Sequence, residues 1–179
     1  MKNNQVLKTI KERRSRFQFE DYELTEEELN NILEAGRWAP SFANTQPWKF
    51  IVIKDEEIKE DLYDIARQVT IFRGGIKQAS LIIAVVVDAE KDSRHYVEAG
   101  AVATQNMALA AHSLGISSYW VGLFDINDEK RSAEKKAGKL LNLPDNYRLI
   151  SLLPLGKSNQ EVTGERKDLE EIVVHGTFR

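Results

Sequence analysis

The stretch that decides the fold is S-L-I-I-A-V-V-V-D, residues 80–88. From Leu81 to Val87 every residue is apolar, and most are β-branched. The run lacks the polar alternation of a strand that has one face in water, so both of its faces are expected to be covered. The sequence therefore predicts a central strand lying between two layers of other elements.

Local signals place the elements on either side of this strand. Thr25 and Glu28 form a capping box, in which each side chain satisfies a backbone N–H at the start of a helix. Pro40 ends that helix near Trp38 because it cannot donate a backbone hydrogen bond, and Asp55 offers an N-cap to the next helix. Periodicity and caps predict helices over about residues 5–12, 26–38, 56–68, 93–114 and 129–141, and strands over 48–53, 80–88, 116–122 and 148–155.

Composition favours one globular domain spanning residues 1–179, with 42% hydrophobic and 30% charged residues. A folded chain of this mass is expected to expose roughly 8,800 Å². The absence of cysteine excludes disulfides, thiolate zinc sites and a cysteine nucleophile, and fits a cytoplasmic protein. The net charge of −3 argues against nucleic acid as a partner. No apolar run approaches a membrane span, and the N-terminus lacks the apolar segment of a secretory signal.

A basic cluster follows the first predicted helix. Arg13, Arg14 and Arg16 place three guanidinium groups around the hydroxyl of Ser15. One guanidinium group can donate two parallel hydrogen bonds to phosphate oxygens, so the cluster is suited to a small phosphate ligand. A solvated basic helix end and a nucleic-acid patch are the alternatives, and the net charge counts against the second.

A second polar cluster lies in W-A-P-S-F-A-N-T-Q-P-W, residues 38–48. Two prolines stiffen this loop, and its polar side chains supply donors and acceptors that no regular element would use. Such a loop can bind the edge of a planar heterocycle. The alternative is an ordinary turn in which Ser41 and Asn44 bond their own backbone.

These motifs, in this order, resemble the FMN-dependent nitroreductase family. R-R-S at 13–15 is followed by A-P-S-F-A-N-T-Q-P-W at 39–48, a small-residue helix E-A-G-A-V-A-T-Q-N at 98–106, and L-G-I-S-S-Y-W-V-G-L-F-D at 114–125. A glycine after the last predicted strand and a later arginine complete the series. The resemblance covers nearly the whole chain.

The resemblance implies an α+β fold. It is an α-β-α sandwich with a central mixed, mostly antiparallel sheet flanked by helices, in an intertwined homodimer whose residues 157–179 pack on the partner subunit. It also implies FMN at the subunit interface and NAD(P)H as electron donor. The acceptor would be a nitroaromatic, a quinone or a similar electron-poor small molecule, reduced by a ping-pong mechanism.

The resemblance also assigns site residues. The phosphate of FMN would be held by Arg13, Arg14, Ser15 and Arg166. The loop that reaches the partner's flavin corresponds to Pro40, Ser41, Asn44 and Gln46, and the backbone against the flavin ring corresponds to Val121 and Gly122. No catalytic side chain and no metal ligand are expected, because N5 of the flavin carries the chemistry.

Two departures from the family pattern leave alternatives open. Phe17 stands where the family has a basic residue that contacts the flavin, so Arg16, Lys77 or Arg73 would have to replace that residue. The segment that covers the active site is expected to shrink to residues 70–76, with a flexible Gly74-Gly75 step. A flavin-binding or storage protein without turnover, or a specialised flavin enzyme of the same family, are the alternative functions.

Overall fold

The computed structural model describes residues 4–70, 74–123 and 132–178. Its sheet has four strands in the order β1-β2-β4-β3, with every neighbouring pair antiparallel. The strands are β1 (Trp48–Ile53), β2 (Leu81–Asp88), β3 (Ser117–Ser118) and β4 (Tyr147–Gly156). Ser15 and Ser118 form an isolated parallel bridge outside these strands, so the sheet is antiparallel and not mixed as expected.

Local capping explains where the helices begin. In the capping box the Glu28 N–H donates to Thr25 Oγ1 over 3.2 Å, and the Thr25 N–H donates to Glu28 Oε2 over 2.9 Å. Asp55 Oδ1 accepts from the Ile58 N–H over 3.0 Å. The helices are α1 (Gln5–Glu12), α2 (Glu26–Arg37), α3 (Glu56–Ala66), α4 (Gly75–Gln78), α5 (Tyr96–Ser113), α6 (Ser132–Leu140) and α7 (Leu169–Ile172).

β2 divides the core into two clusters, one on each face of the sheet. Its residues alternate between them: Ile82, Ala84 and Val86 on one face, and Leu81, Ile83 and Val85 on the other. Helices α3, α4 and α6 cover the first face, whereas α2 and α5 cover the second. The α-β-α sandwich and the central strand buried on both faces are therefore confirmed.

The small residues of α5 let this helix lie close against the sheet. A Cβ on Gly100 would stand 2.6 Å from Ile150 Cγ1 of β4, so no larger residue fits there without movement. One turn further on, Thr104 Oγ1 and Ser151 Oγ share a buried hydrogen bond of 2.8 Å. These contacts hold α5, a helix of 18 residues that is about 27 Å long, against the sheet.

Three predictions from local sequence are wrong in part. The strand expected over 116–122 pairs only at Ser117–Ser118, and the chain rejoins the sheet at a bridge between Val121 and Leu152. The helix expected from residue 93 begins at Tyr96, because a turn made by Asp92 precedes it. The helix expected to reach residue 68 ends at Ala66. The start of the helix expected over 129–141 lies outside the described residues.

Two segments, which we call the arms, expose apolar side chains. One is α1, of which no residue is buried, and the other is residues 157–178. The accessible surface of the chain is 11490 Å², against roughly 8,800 Å² expected for a compact monomer of its mass. Within the described residues, no helix combines the length and apolarity needed to cross a membrane.

Candidate functional site

Three arginines, here called the arginine cluster, meet where α1 ends and the C-terminal arm passes. Arg13 and Arg14 are neighbours in the sequence, and Arg166 joins them from the C-terminal arm. A Cβ built on Gly164 would lie 3.2 Å from Arg166 Nη1 and 3.6 Å from Arg14 Nε. The pKa of Arg13 is lowered by burial, and further by the charges of Arg14 and Arg166. None of the three forms an ion pair with a carboxylate in the part of the chain that the structure describes.

Arg14 carries an unused donor at the centre of this cluster. Its Nη1 donates to the backbone oxygens of Lys11 over 2.6 Å and of Arg13 over 2.9 Å. Its Nε is buried and has no partner among the described residues. A buried donor left without an acceptor is destabilising by about 1–3 kcal/mol. An anion among these guanidinium groups would satisfy the donor and relieve their mutual repulsion, so the residues present fit a phosphate.

His112 lies beside the same arginines, and the sequence alone did not identify it as a site residue. It lies in the last turn of α5. Burial and then the charge of Arg16 lower its pKa, Glu12 opposes them, and Arg13 and Arg14 add to the lowering. No local signal marks His112 as a site residue, since about a hundred residues separate it from the arginines at 13–16. Ser15 is exposed beside this cluster and bridges to Ser118.

The residues expected to replace the missing basic group are otherwise engaged. Arg16 Nε donates to the backbone oxygen of Gln160 over 3.0 Å. Lys77 forms an ion pair with Glu60 and stands 4.2 Å from the centroid of the Tyr63 ring. Both side chains therefore already have partners within the chain, and Arg73 lies outside the described residues.

Phe17 packs into the core. Its ring meets Tyr119 edge to face, with 6.3 Å between the centroids, and belongs to the cluster on the α3 side of the sheet. The expected flexible Gly74-Gly75 step is wrong at Gly75, which is buried at the start of α4. A Cβ on Gly75 would lie 2.8 Å from the Phe17 carbonyl oxygen, so this glycine is needed for close packing.

Loop 38–48 adopts an unusual backbone. Ala43, Asn44 and Gln46 all have positive φ values, of 45°, 55° and 46°. Ser41 Oγ accepts from the Gln46 N–H over 3.0 Å, as the ordinary-turn alternative expects for Ser41. Pro40 and Asn44 are exposed. Three non-glycine residues in the left-handed region within four positions indicate a strained loop, and such strain tends to occur at ligand sites.

The segment after β3 carries an open backbone donor at Gly122. The Val121 N–H donates to the Leu152 oxygen over 2.9 Å, and the Val121 side chain is buried. Gly122 is exposed, and its N–H has no hydrogen bond within the described ranges. Sequence reasoning missed Trp120, which is 42% exposed and whose indole Nε1 lies 3.7 Å from a Cβ built on Gly122. The aromatic side chain of Trp120 was the signal in the sequence that could have identified it.

The two polar clusters of one chain lie at opposite ends of α5. His112, at the C-terminal end, adjoins the arginine cluster. At the N-terminal end the His95 ring stacks on Phe42 of loop 38–48, with 4.4 Å between centroids. The two histidines are 17 positions apart, which is about 26 Å along a helix.

Comparison with known proteins identifies the family. The family model described as "Nitroreductase family" matches residues 10–74 and 67–157. A candidate NADH dehydrogenase/NAD(P)H nitroreductase from Methanothermobacter thermautotrophicus is 33% identical over 153 residues, covering 84% of this chain and 76% of that protein.

Solved structures agree with that match. A candidate NADH dehydrogenase/NAD(P)H nitroreductase from Parabacteroides distasonis has a TM-score of 0.88 at 27% identity, covering 98% of this chain and 100% of that chain. A candidate nitroreductase from Desulfovibrio desulfuricans, solved in complex with FMN, has a TM-score of 0.79 at 31% identity, with 99% of each chain covered. The chain therefore belongs to the nitroreductase family.

Proposed function

We propose that this protein is an FMN-dependent oxidoreductase that takes a hydride from NAD(P)H and passes it to a nitroaromatic, a quinone or a similar electron-poor acceptor by a ping-pong mechanism. The observation that carries the proposal is the arginine cluster, which surrounds the buried, unused Nε of Arg14. Membership of the nitroreductase family, with an FMN complex among the similar structures, supports the choice of cofactor.

The chain's own residues bind and orient the cofactor. Arg13, Arg14 and Arg166 hold the phosphate by charge-assisted hydrogen bonds, and the Ser15 hydroxyl adds a donor. The open N–H of the exposed Gly122 would lie against the flavin ring, whereas the Val121 side chain packs in the core. Bound FMN would supply the hydride transfer, so no side-chain nucleophile is needed.

The active form is a homodimer in which loop 38–48 serves the partner's flavin. A phosphate held near His112 and a ring contacted by Ser41 of the same chain would be separated by about the length of α5. One FMN is too short to cover that distance. A second copy, placed so that its Pro40, Ser41, Asn44 and Gln46 approach the first copy's Gly122, completes the site.

The exposed arms supply the surface for this dimer. An isolated helix of eight residues is unstable in water, yet α1 presents Val6, Leu7 and Ile10 with 66%, 52% and 48% of their surface exposed. A largely apolar groove of about 380 Å³ runs between α1, α2 and α5. Residues 157–179 form a C-terminal extension that packs on the partner subunit. Its exposed apolar side chains are Leu169, Ile172, Val173, Val174 and Phe178.

An absorbance spectrum followed by reductant titration tests the function. The purified protein should be yellow or become so with added FMN, and anaerobic NADH or NADPH should bleach the flavin. A quinone should then restore the colour. Bound FMN that neither donor reduces would refute the oxidoreductase function.

Flavin binding without turnover is the second candidate, and the place of Phe17 favours it. Because Phe17 packs on Tyr119, no basic side chain from that position stabilises the negative charge of a reduced flavin. Tight FMN binding with negligible steady-state reduction of quinones and nitroaromatics would support this candidate.

A further inference from the structure

The connection between β2 and α5 docks on loop 38–48 at two points. The His95 ring lies against Phe42, with 27° between the ring planes. Lys91 Nζ donates to the backbone oxygen of Gln46 over 3.4 Å. The strained loop that we assign to the flavin ring is thus held next to an imidazole that has no part in the proposed binding of the cofactor.

A buried carboxylate orients that imidazole. The Asp92 side chain is 3% exposed, and its Oδ1 accepts the His95 N–H over 3.0 Å and lies 3.3 Å from His95 Nδ1. Burial alone would raise the pKa of Asp92, but the hydrogen bonds from His95 and Arg94 outweigh it and hold the pKa below its ordinary value. An ionised Asp92 keeps the proton on Nδ1 and leaves Nε2 available for a ligand.

The imidazole and the loop share a small cavity. It has a volume of about 240 Å³ and is lined by Pro40, Ser41 and Phe42 on one side. Its other side is formed by His95 and the first turns of α5, including Glu98. The His95 side chain is 40% exposed, so it exchanges protons with water. An open apolar cavity with one oriented imidazole suits a planar ring that carries an oxygen acceptor.

We propose that His95, held by Asp92, donates a hydrogen bond and then a proton from Nε2 to the oxygen of a quinone-type acceptor bound beside Phe42. This inference rests on the proposed function and names the acceptor class. Reduction of a quinone to a hydroquinone takes one hydride and one proton. The hydride comes from the reduced cofactor. The proton leaves Nε2 as the new O–H bond forms, and water then reprotonates His95.

The charged groups around His95 set the expected pH dependence. Asp92 and Arg94 precede it in the turn, and Glu98 faces the same cavity from α5. Because the protonated ring is the donor, transfer to the quinone should be slower at higher pH.

Stopped-flow kinetics of the FMN-loaded protein test the role of His95. In His95→Gln, flavin reduction by NADH or NADPH should keep its rate, whereas reoxidation by 1,4-benzoquinone should slow about a hundredfold and lose its pH dependence. Asp92→Asn should shift that pH dependence. His175→Gln removes an exposed histidine of the C-terminal arm and should change neither half-reaction.

A second readout does not depend on turnover. In the ¹⁵N-labelled protein, the redox-inert probe benzoate should shift the His95 Nε2 resonance, and its dissociation constant should rise at least about fivefold in His95→Gln. An unshifted resonance, or reoxidation of His95→Gln by benzoquinone at the wild-type rate at every pH, would overturn the role of His95 alone. A wild-type protein that takes up no FMN would overturn the proposed function itself, and this inference with it.

Discussion

The two ends of α5 each place a histidine in a charged setting, but the settings are opposite. His112 lies among arginines that have no carboxylate partner in the described part of the chain, whereas His95 is paired with the buried carboxylate of Asp92. The C-terminal end is therefore electrostatically incomplete and is stabilised by an added anion. The N-terminal end is already balanced and is suited to an uncharged ring. One helix thus separates the contacts to the phosphate from the contacts to the flavin ring. The distance between them is too great for one FMN to reach both within one copy of the chain.

The largest expected effect comes from disrupting the dimer that this separation requires. Ile10→Glu places a charge in the groove between α1 and α5, where the partner is proposed to pack. An unpaired charge buried at an interface should weaken the dimer by about 3 kcal/mol, or over a hundredfold in dissociation constant. Sedimentation at micromolar concentration should show a monomer that has lost FMN.

Val69→Glu is the matched control. Val69 is 54% exposed after α3, on the opposite layer of the sandwich, so the same substitution there should leave a dimer. A wild-type monomer that binds FMN stoichiometrically would contradict the division of the site between two copies.

The next effect tests the incomplete end. Arg13→Ala should weaken FMN binding by about 1.5 to 3 kcal/mol, roughly ten- to 150-fold, because a charge-assisted contact to the phosphate is lost. Fluorescence titration of the apoprotein with FMN measures the dissociation constant. Lys11→Ala is the control, since Lys11 touches Arg14 only through its backbone oxygen. Equal affinity for FMN in wild type and Arg13→Ala would show that this cluster does not bind the phosphate.

The sequence predicts best those features that depend on neighbours in the chain. The capping box at Thr25 and the N-cap at Asp55 start their helices where expected, because each cap is a contact over three residues. The unbroken apolar run of β2 predicts burial on both faces for the same reason. The expected bounds of α1 and β1 also agree with the structure.

Features that depend on residues far away in the sequence could not be predicted in the same way. The expected strand at 116–122 is shortened because only Ser117 and Ser118 pair continuously with β4, and Val121 returns to β4 at a single bridge. The side chain of Arg16 is directed by Gln160, which is 144 positions away. His112 and His95 look alike as isolated histidines, and only packing gives one a set of arginines and the other a carboxylate and an aromatic ring.

A smaller effect probes the balanced end in the apoprotein. Phe42→Ala should lower the free energy of unfolding by about 0.5–1 kcal/mol, because it removes the ring stacked on His95. Urea denaturation measures the change, and Phe42→Leu, which keeps most of the volume, should fall between Phe42→Ala and wild type. A Phe42→Ala variant as stable as wild type would show that the stack does not hold loop 38–48.

The smallest effect is a pH dependence of stability that arises at the incomplete end. The pKa of His112 is lowered in the folded protein by burial and by the nearby arginines, so the unfolded chain takes up its proton at a higher pH. The apoprotein should therefore lose stability as the pH falls through the ordinary histidine range, and keep this contribution at higher pH. Because His112 is partly exposed, the change should stay below about 1 kcal/mol.

The measurement is the difference in melting temperature between wild type and His112→Gln, taken at about pH 5.5 and again at about pH 7.5. The other histidines are present in both proteins, so their contribution cancels. Saturating FMN should reduce this difference, because a phosphate among the arginines favours the protonated ring. His175→Gln should show no such response. If FMN left the His112 contribution unchanged, the phosphate would lie elsewhere, and the contrast between the two ends of α5 would describe packing without function.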